Sequence, residues 1–516
     1  MLDAVRHSAR LIGIVRTLGR HDALFPLDSP FVPAWVARTA RLIGGRPAHR
    51  GDARPGERLA NALQTLGPSF IKLGQALSVR ADIVGDAVAE DLGRLRDRLP
   101  PFDAAEARAA IATELGRPVE ALFGQFEDRP VAAASIAQVH FATTLEGDPV
   151  AVKVLRPGIE AAFRRDLALF FWLAGLAERF APALRRLRPV KVVETVAASV
   201  DLEMDLRLEA AAASELAENT AGIGGFRVPK VIWPLTGRRV LTLERVGGIA
   251  IDDREGLIAA GHDPKALAAR VIRIFLGQAL GHGFFHADMH HGNLFVEPDG
   301  TIAAVDFGIM GRIDRPTRLF LAEMLHAFLT GDWRRAAEVH FSAGYVPANQ
   351  SVEAFAQACR SIGEPILGRP VSEISIARLL AQLFRITETF AMQTQPQLLL
   401  LQKTMVTVEG VARSLDPEIN FWQAAEPVVS EWMRANMGPD ARLGDLAADA
   451  GRVLRRLPAL AETLERAAGV LADGTVRLDR ESARLIAAEQ ARRRRPLLVA
   501  AGLFAALLIL LLWRGV

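Results

Sequence analysis

The stretch His286 to Gly308, HADMHHGNLFVEPDGTIAAVDFG, admits few backbone paths, and it carries two acidic residues and one amide in fixed order. Asp288 and Asn293 are five apart, and Asp306 follows thirteen residues after Asn293 at the head of Asp-Phe-Gly. Leu294–Glu297 and Thr301–Val305 read as short strands joined by Pro298-Asp299-Gly300, where glycine accepts a backbone dihedral that other residues resist. A hairpin of that length brings Asn293 beside Asp306. Mg2+ takes a few hard oxygen ligands, keeps some water and draws the rest of its shell from substrate phosphates, so one carboxylate and one amide oxygen suffice. The spacing predicts a nucleotide site with Asn293 and Asp306 on Mg2+, and leaves Asp288 as a base or water-orienting group.

A hairpin with surface Asp and Asn residues is the plainer alternative, and Asp-Phe-Gly alone recurs by chance. The two motifs at the right separation, with strand-like sequence between them, favour the nucleotide site. Another reading starts from His282, His286, Asp288, His290 and His291, a dense ligand-type cluster in which His286 and His290 are four apart as on a metal-binding helix. Gly281, Gly283 and Gly292 interrupt the segment and argue against one continuous helix.

At 516 residues, half of them hydrophobic, the chain has room for two or more domains with substantial cores. Lys and Arg total 62 against 59 Asp and Glu, so the pI near 9.3 reflects a slight excess, and nucleic acid is not expected as a partner. The single Cys359 excludes an intramolecular disulfide framework and a cysteine-based zinc site. Residues 1–20 are amphipathic and basic, without the apolar run of a secretory signal, and read as a membrane-surface or partner helix. From Leu497 to Trp513 every residue is apolar or Gly, about 17 residues or roughly 25 Å of helix. The Leu, Ile, Val and Phe among them supply roughly −3 to −7 kcal/mol toward insertion, with no charge in opposition. A buried core helix is the alternative. Arg492–Arg495 precede the segment and only Arg514 follows, so the positive-inside rule keeps the body cytoplasmic, and the arginines suit anionic membrane lipids.

A Pro/Gly/Arg-rich linker at Gly44–Gly56 precedes a helical region that begins near Glu57 and carries Lys72-Leu73-Gly74-Gln75. A helix from an Asp103 cap to Leu115 follows, and the texture then turns to strands. Val131–Ala142 contains Ala132-Ala133-Ala134-Ser135, and the turn Glu146–Pro149 leads into the strand Val150–Leu155. Lys153 interrupts that apolar strand. Such a lysine either emerges at an edge or neutralises an anion, and VAVK matches the strand whose lysine meets nucleotide phosphates. Two long helices, 159–180 and 190–218, come next; the second holds Glu203, Asp205 and Glu209, and its period puts Asp205 and Glu209 on one face. That face repels itself unless cations lie opposite; a solvated face paired with Arg207 and Lys191 is the alternative. Strands near 226–232 and 238–244 run into Leu243–Gly248, a natural crossing between lobes, and a helix over 264–282 precedes the catalytic loop. Beyond Asp-Phe-Gly the pattern is helical to 495, with Arg477–Arg495 a charged helix.

With KxGQ, the alanine-rich loop, VAVK, ExD, HxDxxxxN and DFG in that order, the chain resembles the UbiB family of atypical, protein-kinase-like proteins over residues 60–345. The resemblance implies an α+β, atypical protein-kinase-like two-lobed fold with a large helical N-terminal extension, a helical C-terminal region and a C-terminal transmembrane helix. It divides the chain into a basic N-terminal segment and linker (1–56), the KxGQ extension (57–128), an N-lobe with the ExD helix (129–246), a C-lobe core (247–345), a helical region (346–496) and the membrane helix (497–513). It implies ATP and Mg2+ as cofactors. Nucleotide contacts fall to Ala132, Ala133, Ala134, Ser135, Lys153, Glu209 and Glu244, metal ligation to Asn293 and Asp306, and the catalytic role to Asp288. Glu209 orients Lys153, while Lys72 and Gln75 look toward Glu203 and Asp205 over the place where a protein substrate would dock. The activity implied is that of an ATPase of the bacterial inner membrane supporting ubiquinone biosynthesis. Membrane lipids, a polyprenylated quinone precursor and other ubiquinone-biosynthesis proteins are the partners implied. A 2-polyprenylphenol hydroxylase acting as a metal-dependent oxygenase and a catalytically inactive nucleotide-binding scaffold are the alternatives; no flavin or nicotinamide fingerprint favours the first.

The departures carry information too. No Gly-x-Gly-x-x-Gly precedes VAVK, which alters the close backbone approach to phosphates that glycine permits and argues against ordinary protein phosphorylation. Met289 and His291 stand where the family's loop has prolines, and one spanning segment is visible where related proteins often have two.

Overall fold

Val150, Val152 and Val154 alternate along one strand with Ala151 and Lys153, and the alternation sorts the strand into a fully buried face and a half-buried one. The valines pack with Ile111, Leu122, Phe123 and Val240 into a dry cluster, which leaves Lys153 on the opposite face of the sheet. The computed structural model that places these residues describes 2–25, 34–45, 53–78, 84–93, 95, 100–180, 188–367, 386, 389–392 and 396–437.

Helices α1 (Leu2–Arg20), α2 (Ala34–Gly44), α3 (Pro55–Leu66), α4 (Pro68–Ser78) and α5 (Asp86–Leu92) open the chain, followed by α6 (Ala104–Leu115). Strands β1 (Phe123–Phe126), β2 (Ala132–Ala133), β3 (Ala137–Thr144) and β4 (Pro149–Leu155) come next. After them stand α7 (Ile159–Phe180), α8 (Pro189–Glu203), α9 (Leu206–Thr220), β5 (Phe226–Arg227), β6 (Val240–Glu244) and β7 (Ile249–Ala250). The N-lobe sheet runs β1-β3-β4-β6, with β2 on β3, all antiparallel. Its central strand β4 is therefore paired on both edges, a rigid mount for Lys153.

The second lobe begins with α10 (Arg254–Ala259) and α11 (Pro264–Leu276) and continues through β8 (Phe284–His286), β9 (Leu294–Val296), β10 (Ile302–Ala304) and β11 (Met310–Arg312). Strands β9 and β10 form the hairpin legible in the sequence, with Ile302 opposite Val296 and Ala304 opposite Leu294. Gly300 takes a φ of 82° at its turn, the left-handed region glycine occupies without strain. Beyond lie α12 (Arg315–Thr330), α13 (Trp333–Ser342), α14 (Val352–Leu367), α15 (Pro396–Leu415) and α16 (Phe421–Met437). Val408, Val411, Ala412 and Leu415 of α15 are buried in the same core as Val271, Ile274 and Phe275 of α11.

Three readings change. The helix expected over 190–218 is two helices: Asp205 turns outward with φ −123° and ψ 91°, and its carboxylate caps α9 by accepting from the Arg207 amide at 3.1 Å. A capping aspartate satisfies a backbone donor that has no partner within the helix, so the break is local chemistry. The helix expected to reach 282 ends at Leu276 and continues as one π turn, Gly277–His282. Strand 226–232 is reduced to Phe226–Arg227.

The N-terminal helices do not stand apart from the KxGQ extension. Ile14 of α1 shares a cluster with Leu59 and Leu63 of α3, Phe70 of α4 and Leu169 and Phe170 of α7, and Arg10 pairs with the buried Asp166 at 3.1 Å. Helix α6 packs instead on the N-lobe sheet through Ile111. The chain divides into two compact units, Met1–Met433 and Arg434–Val516. No helix among the described residues is long and apolar enough to cross a membrane; Leu497–Trp513 and Arg477–Arg495 lie outside the described residues.

Candidate functional site

Lys153 on β4 meets carboxylates from two distant parts of the chain. Its Nζ donates to both oxygens of Glu209 on α9, at 2.7 and 2.9 Å, and to Oδ1 of Asp306 at 3.1 Å. Glu209 also accepts from the backbone N–H of Phe307 at 3.3 Å, so the helix carboxylate joins the strand lysine to the Asp-Phe-Gly segment. Burial opposes the charge on Lys153, but Asp306 and Glu209 outweigh it and hold the ammonium above the ordinary lysine range. Lys153 in turn holds Asp306 well below the usual carboxylate range, against burial and with help from the Gly308 N–H. Burial, opposed by Lys153, leaves Glu209 above its ordinary value.

Asp306 has a φ of 61°, uncommon for a residue with a side chain, and its side chain remains half-exposed. The hairpin sets its distance from Asn293: the Val305 N–H donates to the Asn293 carbonyl at 2.9 Å. Asn293 Nδ2 donates to the Asp288 carbonyl at 3.0 Å, which leaves the amide oxygen as the group to offer a cation. The Asp288 carboxylate is partly exposed, 3.6 Å from His290 Nε2.

His286 is a structural pin. The Asp288 N–H donates to its Nδ1 at 3.1 Å, so Nε2 carries the proton and donates to the Val305 carbonyl at 3.1 Å. Burial pushes its pKa below the ordinary histidine value and keeps the ring neutral. The histidine metal cluster considered above is thereby taken apart. His286 sits on β8 with both nitrogens engaged, His290 Nδ1 accepts from the Gly292 N–H, and His291 Nε2 bonds Ser414 Oγ at 3.1 Å. Among the described residues no group of three His, Cys, Asp or Glu side chains is placed to hold a metal ion.

The other sequence-derived residues fall into two groups. Lys72 meets Glu203 at 2.7 Å with both side chains mostly buried, and joins the KxGQ helix α4 to the end of α8. The Asp205 carboxylate is taken by Arg207 at 2.6 Å, and that hydrogen bond holds it below the ordinary aspartate value. Asp205 is the N-cap of the helix that carries Glu209, and its pairing with Arg207 is the alternative to a self-repelling acidic face weighed from the sequence. Gln75 lies one turn beyond Lys72 on α4 and is half-buried. Ala132 and Ala133 form β2, the Ala134 N–H is spent on the Ala137 carbonyl at 2.8 Å, and Ser135 is fully buried. The half-exposed Glu244 carboxylate pairs with Arg227 through Oε2 at 2.8 Å.

Sequence reasoning missed three supports. Arg227 joins Glu244, at the lobe crossing, to Glu297 at the end of β9. The fully buried Gln278 accepts the His286 N–H at 3.0 Å from within the π turn. Thr404 and Ser414 of α15 reach the catalytic loop at Ala287 and His291. A glutamine inside an apolar helix pattern was the one available signal; the other contacts bridge segments with no local periodicity.

The donor set fits Mg2+ with a nucleotide: one carboxylate and one amide oxygen stand at adjacent strand ends, the composition that leaves coordination positions to phosphates and water. Lys153 faces the carboxylates of both Glu209 and Asp306, so this cluster holds two acidic groups against one basic group. When bound, Mg2+ neutralises charge on the β- and γ-phosphates.

Fold and site together define the class: an atypical kinase-like protein of mixed helix and sheet, mostly helical. The ABC1 atypical kinase-like domain matches residues 94–340, and the UbiB helical domain matches residues 359–420. The chain belongs to the UbiB family. It is 40% identical over 467 residues to the "Probable protein kinase UbiB" of Azotobacter vinelandii, covering 89% of this chain and 86% of that one. It is 40% identical over 504 residues to the protein of that name from Xanthomonas campestris, covering 95% and 90%. The Marinobacter nauticus protein is 43% identical over 395 residues, covering 76% and 72%. The fold is similar to that in "The complex structure of Rv3197-erythromycin from Mycobacterium tuberculosis", with a TM-score of 0.51, 24% identity, and coverage of 72% of this chain and 96% of that chain.

Proposed function

We propose that this protein binds ATP with Mg2+ and hydrolyses it, and that the cycle supports ubiquinone biosynthesis at the bacterial inner membrane. The observation that carries the nucleotide reading is the Lys153 ammonium held between Glu209 and Asp306, 56 and 153 residues away in sequence. That arrangement presents a fixed cation beside one carboxylate and one amide oxygen, the minimum for gripping a polyphosphate and its metal. Asp288 orients the attacking water. Ser135 and Ala134, folded inward, do not form the glycine-type phosphate cover of protein kinases, which favours hydrolysis over phosphorylation of a protein. Membrane attachment rests on Leu497–Trp513 with Arg492–Arg495 on the cytoplasmic side. The quinone assignment rests on membership of the UbiB family, and a polyprenylated quinone precursor with the proteins that process it are the partners proposed.

The test is Mg2+-dependent phosphate release by the purified full-length protein, with and without liposomes and a phenolic quinone-precursor analogue, beside Asp288→Asn. Turnover in the wild type that falls by roughly a hundredfold or more in the variant supports the reading. No turnover with tight ATP binding favours the inactive scaffold. Complementation of quinone production in a strain lacking the family member tests the pathway assignment separately.

A further inference from the structure

Thr404 lies on α15, outside the kinase-like core, yet its side chain is completely buried beneath the catalytic loop. Its Oγ1 lies 3.1 Å from the Ala287 carbonyl and 2.8 Å from the Leu400 carbonyl one helical turn back. One hydroxyl proton faces two acceptors. Leu400 O already has the helical N–H of Thr404 within reach, whereas no other donor to Ala287 O occurs among the described residues. Ala287 is 1% exposed, so losing that donor leaves a buried carbonyl bare.

The consequence for Asp288 is geometric. The peptide joining Ala287 to Asp288 is planar, with the Ala287 carbonyl at one end and the Asp288 N–H at the other. Thr404 holds the carbonyl and His286 Nδ1 holds the N–H at 3.1 Å. The plane is thus pinned at both ends, which sets the direction in which Asp288 leaves the chain. Ten residues along α15, roughly 15 Å of helix, Ser414 meets the same loop at His291. Ser414 Oγ donates to Val411 O at 2.7 Å, so the His291 Nε2–H is the donor in that contact.

We infer that Thr404 is a positioning residue for Asp288: it fixes the entering peptide and makes the catalytic loop's geometry depend on the helical region beyond the kinase-like core. The role of Asp288 in this inference rests on the ATPase reading above. The test compares full-length wild type, Thr404→Val and Thr404→Ser by amide hydrogen exchange across residues 284–293 and by steady-state ATP hydrolysis. Thr404→Val keeps the shape and removes the hydroxyl; it is expected to raise exchange at the Asp288 amide at least tenfold and lower kcat roughly tenfold, with KM for ATP within twofold. Thr404→Ser restores both. Unchanged exchange at Asp288 in a folded Thr404→Val protein overturns the inference, as does lost protection with kcat intact, or a KM change without a kcat change. A wild type that hydrolyses no ATP removes the ATPase reading instead, and the exchange measurement then decides the inference alone.

Discussion

Two lysines in this molecule each meet a glutamate at 2.7 Å in a mostly buried pair: Lys153 with Glu209 and Lys72 with Glu203. The chemistry is alike and the settings are not. Lys153 stands on a strand paired on both edges and meets a second carboxylate, Asp306, so its cluster carries excess negative charge at an open face. Lys72 stands on a helix of the N-terminal extension and joins that helix to α8 through a carboxylate outside the Lys153 cluster. In the function proposed, the first arrangement holds a cation for a polyphosphate to take over. The second ties one layer of helices to another. A lysine–glutamate pair therefore has no function of its own; the element that carries it and the segments it joins decide it.

Removing each lysine is the strongest way to break that comparison. Lys153→Met is expected to lower Mg2+-ATP affinity by roughly a hundredfold or more, because the phosphates lose their fixed cation and the buried Glu209 and half-exposed Asp306 carboxylates lose theirs. Lys72→Ala is expected to leave ATP affinity within about tenfold of wild type while quinone-pathway complementation falls, since the tether and not the phosphate contact is lost. Titration calorimetry with ATP and with ADP reads both. A loss of binding in Lys72→Ala equal to that in Lys153→Met would make Lys72 a phosphate ligand and erase the distinction.

Asp306→Asn sharpens the same contrast at a smaller scale. A neutral amide supplies no formal charge to Mg2+, so the advantage that Mg2+ gives ATP binding should shrink by roughly tenfold or more, with metal-free binding less affected. The smallest effect is on stability against pH. Lys153 holds the Asp306 pKa below its unfolded value, so the contribution of Asp306 is complete above about pH 4 and is lost as pH falls further. Lys153 itself is raised above the ordinary lysine value, so its contribution is lost only on the alkaline side as pH rises through that raised value. Thermal unfolding from pH 3 to 8 should therefore show an acid limb that is shallower in Asp306→Asn. A limb of unchanged steepness would mean that the Lys153–Asp306 pair adds nothing to the folded state.

The parts legible in the sequence were those whose determinants are local. The hairpin between Asn293 and Asp306 follows from two short strand runs and a Gly300 turn, and the buried face of β4 follows from alternating valines. The break between α8 and α9 was also written locally, in a capping aspartate, but an uninterrupted helical period on both sides hid it. What could not be read was carried by single side chains reaching across the fold. Arg227 ties Glu244 to Glu297 from 17 and 70 residues away, and Thr404 reaches Ala287 across 117. Such contacts leave no periodicity, because one residue at each end suffices. The burial of Ser135 belongs with them, since it comes from packing around the loop and not from the alanine run itself.

The central claim is that Lys153, Asp306 and Asn293 together form a site that takes a nucleotide with its metal. Calorimetric titration of ATP into the full-length protein, once with excess Mg2+ and once with EDTA, tests it most directly. The account predicts affinity at least roughly tenfold higher with Mg2+, because the pocket's excess negative charge otherwise repels the phosphates. Equal affinity with and without Mg2+, or ATP binding unchanged in Lys153→Met, would contradict it.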